Sequence, residues 1–125
     1  AAFAISPDRA IVLEATAVAD IAGVPDAMRV AELGNGGAIS LLDRSTIYDT
    51  EFIRHAMSTA QQHGIKCQIK RYVSGGNDAG VIHRTREGVP SLAVSAPCRY
   101  IHSATSVFHS DDYDAVCALV RQLVV

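Results

Sequence analysis

Three polar segments, each placed after a short apolar run, hold the residue types of this chain that could do chemistry. Asp20 ends the first apolar run, the segment 75–78 (GGND) follows the third, and the segment 98–103 (CRYIHS) follows the last. In open α/β sheets, binding and catalytic groups collect in loops beyond the carboxyl ends of strands. We therefore predict that the three segments lie at such strand ends and bind a metal ion or a substrate.

Asp20 and His102 are the candidate metal ligands in these segments. A carboxylate at the border of a core needs a partner because burying an unpaired charge is expensive, and a metal ion, an arginine or a helix N-terminus would each serve. A neutral imidazole such as that of His102 is a common metal ligand. An ordinary hydrogen-bonded loop histidine would give the same sequence, so the residue types leave both alternatives open.

The same segments supply the candidate substrate-binding residues, which are Gly76, Asn77, Asp78, Arg99 and Tyr100. The stretch 75–80 (GGNDAG) matches neither the G-x-G-x-x-G pattern nor the P-loop, and no lysine follows it where a P-loop needs one. It is more typical of a tight turn with a capping Asn or Asp. Phosphate binding is therefore not expected here.

Nucleophilic catalysis has weaker support in the sequence. A serine hydrolase of the α/β type is disfavoured because no G-x-S-x-G elbow occurs. Cys98 and His102 stand four residues apart in one loop, and no third group is evident that would orient the histidine. The sequence therefore assigns no catalytic nucleophile.

Composition bounds the class of protein and its partners. The 125 residues are 49% hydrophobic and 19% charged, with a net charge of −2 and no Trp. This is typical of one globular domain or part of one, and it gives no electrostatic reason to expect nucleic acid or an anionic membrane as partner. The three cysteines have no C-x-x-C spacing, which favours reduced thiols in a cytoplasmic protein.

The pattern of apolar runs predicts an α/β fold. A strand over 10–19 is followed by the order strand, helix, strand, helix, strand, helix, placed at 38–42, 50–64, 66–73, near 81–82, 91–96 and from Ser110 onward. This alternation implies helices layered on a mixed, largely parallel sheet, in an α/β/α arrangement. Asp111, Asp112 and Asp114 open the last helix, where the helix dipole favours negative charge, and are expected to be structural.

Four ordered motifs resemble metallopeptidase family 42, the tetrahedral or glutamyl aminopeptidases, some of which carry an endoglucanase label. They are VLEATAVAD at 12–20, LGNGGAI at 33–39, GGNDAGVIH at 75–83 and CRYIHS at 98–103. The resemblance implies a zinc-peptidase-like fold and release of N-terminal residues from peptides. It also implies two divalent ions, zinc or cobalt, with Asp20 as a ligand of one and His102 as a ligand of the other, and a homo-oligomer for the complete enzyme.

The resemblance also implies residues that this chain lacks. The family site needs a further histidine, a bridging aspartate and an adjacent Glu-Glu pair that gives the general base, and no Glu-Glu pair occurs here. The first five residues are typical of the last turn of a helix. Residues 1–125 are therefore expected to be the C-terminal lobe of an incomplete catalytic domain, with no catalytic residue and no activity alone.

A second hypothesis is a non-catalytic α/β interaction module, or a relic of that family. Such a module is expected to present polar side chains to solvent, whereas an exposed apolar patch would favour the aminopeptidase hypothesis.

Overall fold

The apolar runs of the sequence form the strands of one sheet in the computed structural model, which describes residues 1–125. The strands are β1 (Ala10–Ala17), β2 (Gly37–Ile39), β3 (Cys67–Ile69), β4 (Ser91–Arg99) and β5 (Val107–Phe108). The helices are α1 (Ala2–Ile5), α2 (Thr50–Gln62), α3 (Ala79–Ile82) and α4 (Ser110–Leu123), with one 3-10 turn at Asp26–Met28. None of the helices has the length and apolar character needed to cross a membrane.

The sheet is mixed and largely parallel, which confirms the predicted fold class. Its strand order is β1-β4-β2-β3, and β5 pairs with β4. β1 runs parallel to β4 along its whole length, and β2 runs parallel to β3. The two parallel pairs are joined by an antiparallel pairing of β2 with β4. β4 is central, and its residues Leu92, Ala93 and Val94 are fully buried, as expected for a strand covered on both faces.

Helices cover the two faces of the sheet unequally. α2 and α4 contact each other and lie on the face that carries Gly37 and Val94, where the Val116 side chain of α4 packs closely over Gly37. α2 begins where the Asp49 carboxylate accepts the Phe52 N–H at 2.7 Å and so caps the helix. The short helix α3 contacts β1 and β4 and covers only the first half of the opposite face. The second half of that face stays open.

Some element boundaries differ from the sequence prediction. β4 extends through Pro97 to Arg99, although a proline cannot donate to a ladder; Pro97 falls between the residues of β4 that pair with β2 and those that pair with β5. The strand expected over 66–73 is only three residues long, because the Arg71 N–H leaves the sheet and donates to the carbonyl of Val30. α4 begins at Ser110, where the sequence prediction starts it, and His109 caps it by accepting the Asp111 N–H.

A buried carboxylate fastens the loop before β2 to the start of α4. Asp112 is 1% exposed, and its two oxygens accept the N–H groups of Gly34 at 2.8 Å and Gly36 at 2.7 Å. Gly36 has a φ of +83°, and a Cβ there would collide with the Lys66 carbonyl, so the loop requires glycine at this position. The structural role expected for Asp112 is confirmed.

Replacing Asp112 by alanine should destabilise the protein by about 3 kcal/mol, because two backbone N–H groups lose a charged acceptor in a buried place. Urea unfolding of Asp112→Ala measures this loss. Asp111→Ala is the matched control, since Asp111 is exposed in the same helical turn. Its expected effect is below about 1 kcal/mol, and equal losses in the two variants would contradict the role given to Asp112.

Candidate functional site

A cavity of about 290 Å³ lies on the half-open face of the sheet. Successive residues of a strand point to opposite faces, so the registered partners Glu14 and Ser95 share the face opposite α4. Residues of all four main strands or of the loops that follow them line the cavity: Glu14, Ala15, Thr16, Ala17, Ser40, Asp43, Lys70, Ser74, Gly75, Gly76, Asn77, Ser95, Ile101 and His102. A larger groove beside α2 contains none of the predicted site residues.

The floor of the cavity is polar where a sheet face is usually apolar. Thr16, Ser40 and Ser95 are 5%, 2% and 3% exposed, and each lines the cavity from a different strand or strand end. Buried hydroxyl groups need hydrogen-bond partners. A floor of this kind therefore suits a polar ligand or ordered water better than an apolar one.

The Asp43 carboxylate holds one wall of the cavity together. Asp43 is 6% exposed, and it accepts the N–H groups of Ser45 at 2.7 Å and Thr46 at 2.9 Å and the hydroxyl of Tyr48 at 2.6 Å. Burial acts to raise the pKa of Asp43, but these hydrogen bonds outweigh it and keep the pKa below 3.8. Burial and the nearby Asp43 carboxylate raise the pKa of Tyr48, which keeps its hydroxyl protonated as the donor.

The turn 74–77 is tied to that wall. The Asn77 amide donates to the Tyr48 hydroxyl at 2.8 Å, and the Asn77 carbonyl oxygen accepts the Ala79 N–H at 2.9 Å, which is the capping role that the sequence favours. Gly76 approaches Ser45 so closely that a Cβ would lie 2.9 Å from the Ser45 hydroxyl oxygen. The Lys70 ammonium donates to the Ser74 carbonyl at 2.9 Å.

His102 reaches the cavity from a tightly folded loop after β4. Tyr100 and His102 both have left-handed backbone conformations, with φ of 60° and 64°, which are uncommon outside glycine. The Ser103 hydroxyl lies 2.6 Å from the Tyr100 carbonyl and the Ser106 hydroxyl 3.2 Å from it, so both can donate to the same oxygen. Strained residues persist where the surroundings hold them, and they are frequent at functional sites.

Asp20 is held by an arginine rather than directed into the cavity. Its two oxygens accept the Arg99 Nε–H at 2.6 Å and the Arg99 Nη2–H at 3.1 Å, and the Leu33 N–H adds a third bond at 3.1 Å. The hydrogen bond from Arg99 lowers the pKa of Asp20. Asp20 does not line the cavity that contains His102, so these contacts disfavour the ligand role expected for it, which stays a prediction.

The tertiary structure groups the predicted residues differently from the sequence. Gly76, Asn77 and His102 meet at the cavity, whereas Asp78, Arg99 and Tyr100 do not line it. The three segments also do not share one strand edge, because β2 and β3 run opposite to β1 and β4. The segments 75–78 and 98–103 approach each other across the face of the sheet, and Asp20 does not join them.

Glu14 is the cavity residue that the sequence reasoning missed. It lines the cavity with His102, and no donor of the protein binds its carboxylate. The sequence marks Glu14 as the only charged residue within β1.

The chain contains no group of three His, Cys, Asp or Glu residues placed to hold a metal ion. A carboxylate and an imidazole in one cavity suit zinc or cobalt, but they are only two of the ligands that such an ion needs.

Comparison with known proteins gives consistent matches over the whole chain. The family model described as M42 glutamyl aminopeptidase matches residues 1–119. A putative aminopeptidase of Acetivibrio thermocellus is 34% identical over 99% of this chain and 37% of its own length. A lysyl aminopeptidase of Pyrococcus furiosus is 29% identical over 99% of this chain and 35% of its own length.

Two solved structures are similar in fold as well as in sequence. An aminopeptidase from the archaeon Desulfurococcus kamchatkensis has a TM-score of 0.95 at 30% identity, over 98% of this chain and 35% of that one. The TET1 peptidase of Pyrococcus horikoshii, which can assemble into a tetrahedron or a large octahedral shell, has a TM-score of 0.71 at 28% identity, over 90% of this chain and 32% of that one. The chain thus spans about a third of the length of the proteins that it matches.

Protonation of Asp43 should weaken the fold in acid. Because its pKa is lower in the folded state than its usual 3.8, its stabilising contribution is full above about pH 5 and is lost as the pH falls through the folded-state pKa. Asp43→Asn should lower the free energy of unfolding at pH 7 by about 1–3 kcal/mol and flatten its decline in acid. Urea unfolding between pH 3 and 7 measures both effects.

The matched control is Asp26→Asn, since the Asp26 side chain is 87% exposed. It should leave both the stability and its pH dependence nearly unchanged. A decline in acid that is as steep in Asp43→Asn as in the unaltered protein would contradict this account.

Proposed function

Because the chain belongs to the M42 glutamyl aminopeptidase family, we propose that it forms part of an aminopeptidase active site that hydrolyses N-terminal residues from peptides. The observation that carries this proposal is the meeting of Glu14 and His102 in one polar cavity. The relatives are named as aminopeptidases. This chain matches about a third of the length of those relatives.

We assign Glu14 and His102 as ligands toward two divalent metal ions, zinc or cobalt. When bound, such ions activate a water molecule and polarise the scissile carbonyl. Hydrogen bonds to the Tyr100 carbonyl fold the loop that carries His102, and β1 presents the Glu14 carboxylate from a strand that pairs with β4 along its whole length. Asp20 contributes indirectly in this proposal, because its ion pair with Arg99 joins the ends of β1 and β4.

The substrate-binding residues divide into direct and indirect contributors. Gly76 and Asn77 line the cavity and are proposed to contact the peptide. Arg99 acts by holding Asp20, and Tyr100 acts through its carbonyl, which fixes the His102 loop. Asp78 stands at the start of α3 with no role toward the cavity. No residue of this chain is assigned as the general base, since it contains no Glu-Glu pair.

A homo-oligomer is proposed as the working form. The P. horikoshii TET1 peptidase assembles into closed shells, and this chain leaves Leu41, Leu42 and Ile47 44%, 45% and 83% exposed. Such side chains favour burial against another surface. They also disfavour the alternative of a non-catalytic module, which is expected to present polar groups.

Three free cysteines support a cytoplasmic location.

Glu14→Gln and His102→Gln should each lower both the bound zinc or cobalt and the hydrolysis of aminoacyl anilides, by about a hundredfold or more for the rate, because each removes a metal ligand. The assay uses the gene product as the cell makes it, with metal content measured by mass spectrometry. Asp20→Asn is the comparison variant. It should lower stability by breaking the ion pair with Arg99 and keep the metal content of the folded protein. Loss of metal in Asp20→Asn but not in Glu14→Gln would reverse the assignment.

The 125-residue chain by itself should hydrolyse no aminoacyl anilide detectably, with or without added zinc or cobalt, because it supplies two metal ligands and no general base. The measurement is a rate assay on the purified chain beside a buffer blank. Metal-dependent turnover that is abolished by His102→Gln would show that these residues suffice for catalysis and would contradict the proposal.

A further inference from the structure

We infer that Lys70 determines substrate specificity by binding the side-chain carboxylate of an acidic N-terminal residue. The inference rests on the proposed function, since it places the reacting end of the substrate at Glu14 and His102. It adds the class of the residue that is removed and the group that recognises it.

Lys70 stands at the opposite end of the cavity from the proposed metal ligands. The strand order places β4 and β2 between β1, which carries Glu14, and β3, which Lys70 follows. Three strand spacings separate the backbones of Glu14 and Lys70, or about 14 Å before either side chain reaches inward. A ligand that extends across the hydroxyl floor from the metal end therefore meets the lysine side.

The Lys70 ammonium has hydrogen-bonding capacity to spare. It carries three N–H donors, and its one hydrogen bond to the protein goes to the Ser74 carbonyl. Lys70 is the only Lys or Arg that lines the cavity, and it forms no ion pair with any carboxylate of the chain. Burial lowers the pKa of Lys70, and the Asp43 carboxylate only partly opposes that effect. A carboxylate supplied by a ligand would satisfy this half-buried charge.

The carboxylates already present in the cavity do not serve that purpose. The Asp43 oxygens are occupied by the N–H groups of Ser45 and Thr46 and by the Tyr48 hydroxyl. Glu14 lies at the other end of the cavity and is assigned to a divalent cation. The charge of that cation offsets the repulsion between the Glu14 carboxylate and an acidic substrate. A bulky apolar side chain in this cavity would leave the other two N–H donors of Lys70 and the floor hydroxyls without partners. Such unpaired polar groups discriminate strongly against an apolar ligand.

Membership of the family does not settle the charge of the preferred residue. The family model is described as glutamyl, whereas a relative that covers 99% of this chain is a lysyl aminopeptidase. Opposite preferences on a shared fold are expected to come from differences in individual side chains that contact the substrate. In this chain, the lining residue with a free positive charge is Lys70.

The test compares glutamyl and glutaminyl anilides, which have nearly the same shape and differ in charge, on the gene product as the cell makes it. We expect kcat/KM for the glutamyl anilide to exceed that for the glutaminyl anilide by more than tenfold. Lys70→Gln should lower this ratio about ten- to a hundredfold, the range for losing a charge-assisted hydrogen bond. Lys70→Arg should retain most of the ratio, and Lys70→Glu should shift the preference toward lysyl anilide. Lys66→Gln, which alters the only other lysine of the chain, should keep the ratio.

The outcomes separate this inference from the proposed function. If no anilide of a panel with Glu, Gln, Leu and Lys is hydrolysed, the proposed function fails. If Leu or Lys anilides are hydrolysed and the Glu/Gln ratio of kcat/KM is near one, or is the same in Lys70→Gln, the specificity role of Lys70 is overturned while the function stands.

A second comparison tests whether Lys70 binds the C-terminal carboxylate of a peptide, which anilides lack. A Lys70 effect that is found only with Leu-Gly, and not with its C-terminal amide, would assign the lysine to the peptide terminus and also overturn the inference.

Discussion

The buried carboxylate of Asp43 is the interaction on which the cavity depends. A charge that is 6% exposed is stable only when donors surround it, and here the donors come from the backbone of residues 45 and 46 and from the Tyr48 hydroxyl. Through Tyr48 the same group reaches Asn77, which caps α3. One carboxylate therefore fixes the wall after β2, the turn after β3 and the start of the helix that closes half of the sheet face.

Two further carboxylates act in the same way at other borders of the structure. Asp20 joins the end of β1 to the end of β4 through Arg99, and Asp112 joins the glycine loop before β2 to α4. In each case, N–H donors from a segment that is distant in sequence take the place of the water molecules that would otherwise solvate the carboxylate. Glu14 is different because its carboxylate lines the cavity with no protein donor. Carboxylates that have no internal partner are the ones available to a ligand.

The charges of the cavity thus form a simple arrangement. A carboxylate and an imidazole lie on the β1 and β4 side, an ammonium lies on the β3 side, and a floor of Thr16, Ser95 and Ser40 lies between them. Such a layout orients a polar ligand that has unlike groups at its two ends. It accounts for both proposals, since the metal end holds the reacting part of a peptide and the lysine end reads its first side chain.

The sequence by itself determined the class of the fold, the turn character of 75–78 with its capping Asn or Asp, and the family. These features follow from local apolar periodicity, capping residues and ordered motifs, which act within a few residues of chain. Only the tertiary structure decided the direction of β2 and β3, the partner of Asp20 and the exposure of Glu14. Asp20 and Arg99 are 79 residues apart, and their pairing depends on β1 lying beside β4. Which carboxylate is neutralised and which stays free for a ligand is set by strand order, and local sequence carries no information about that order.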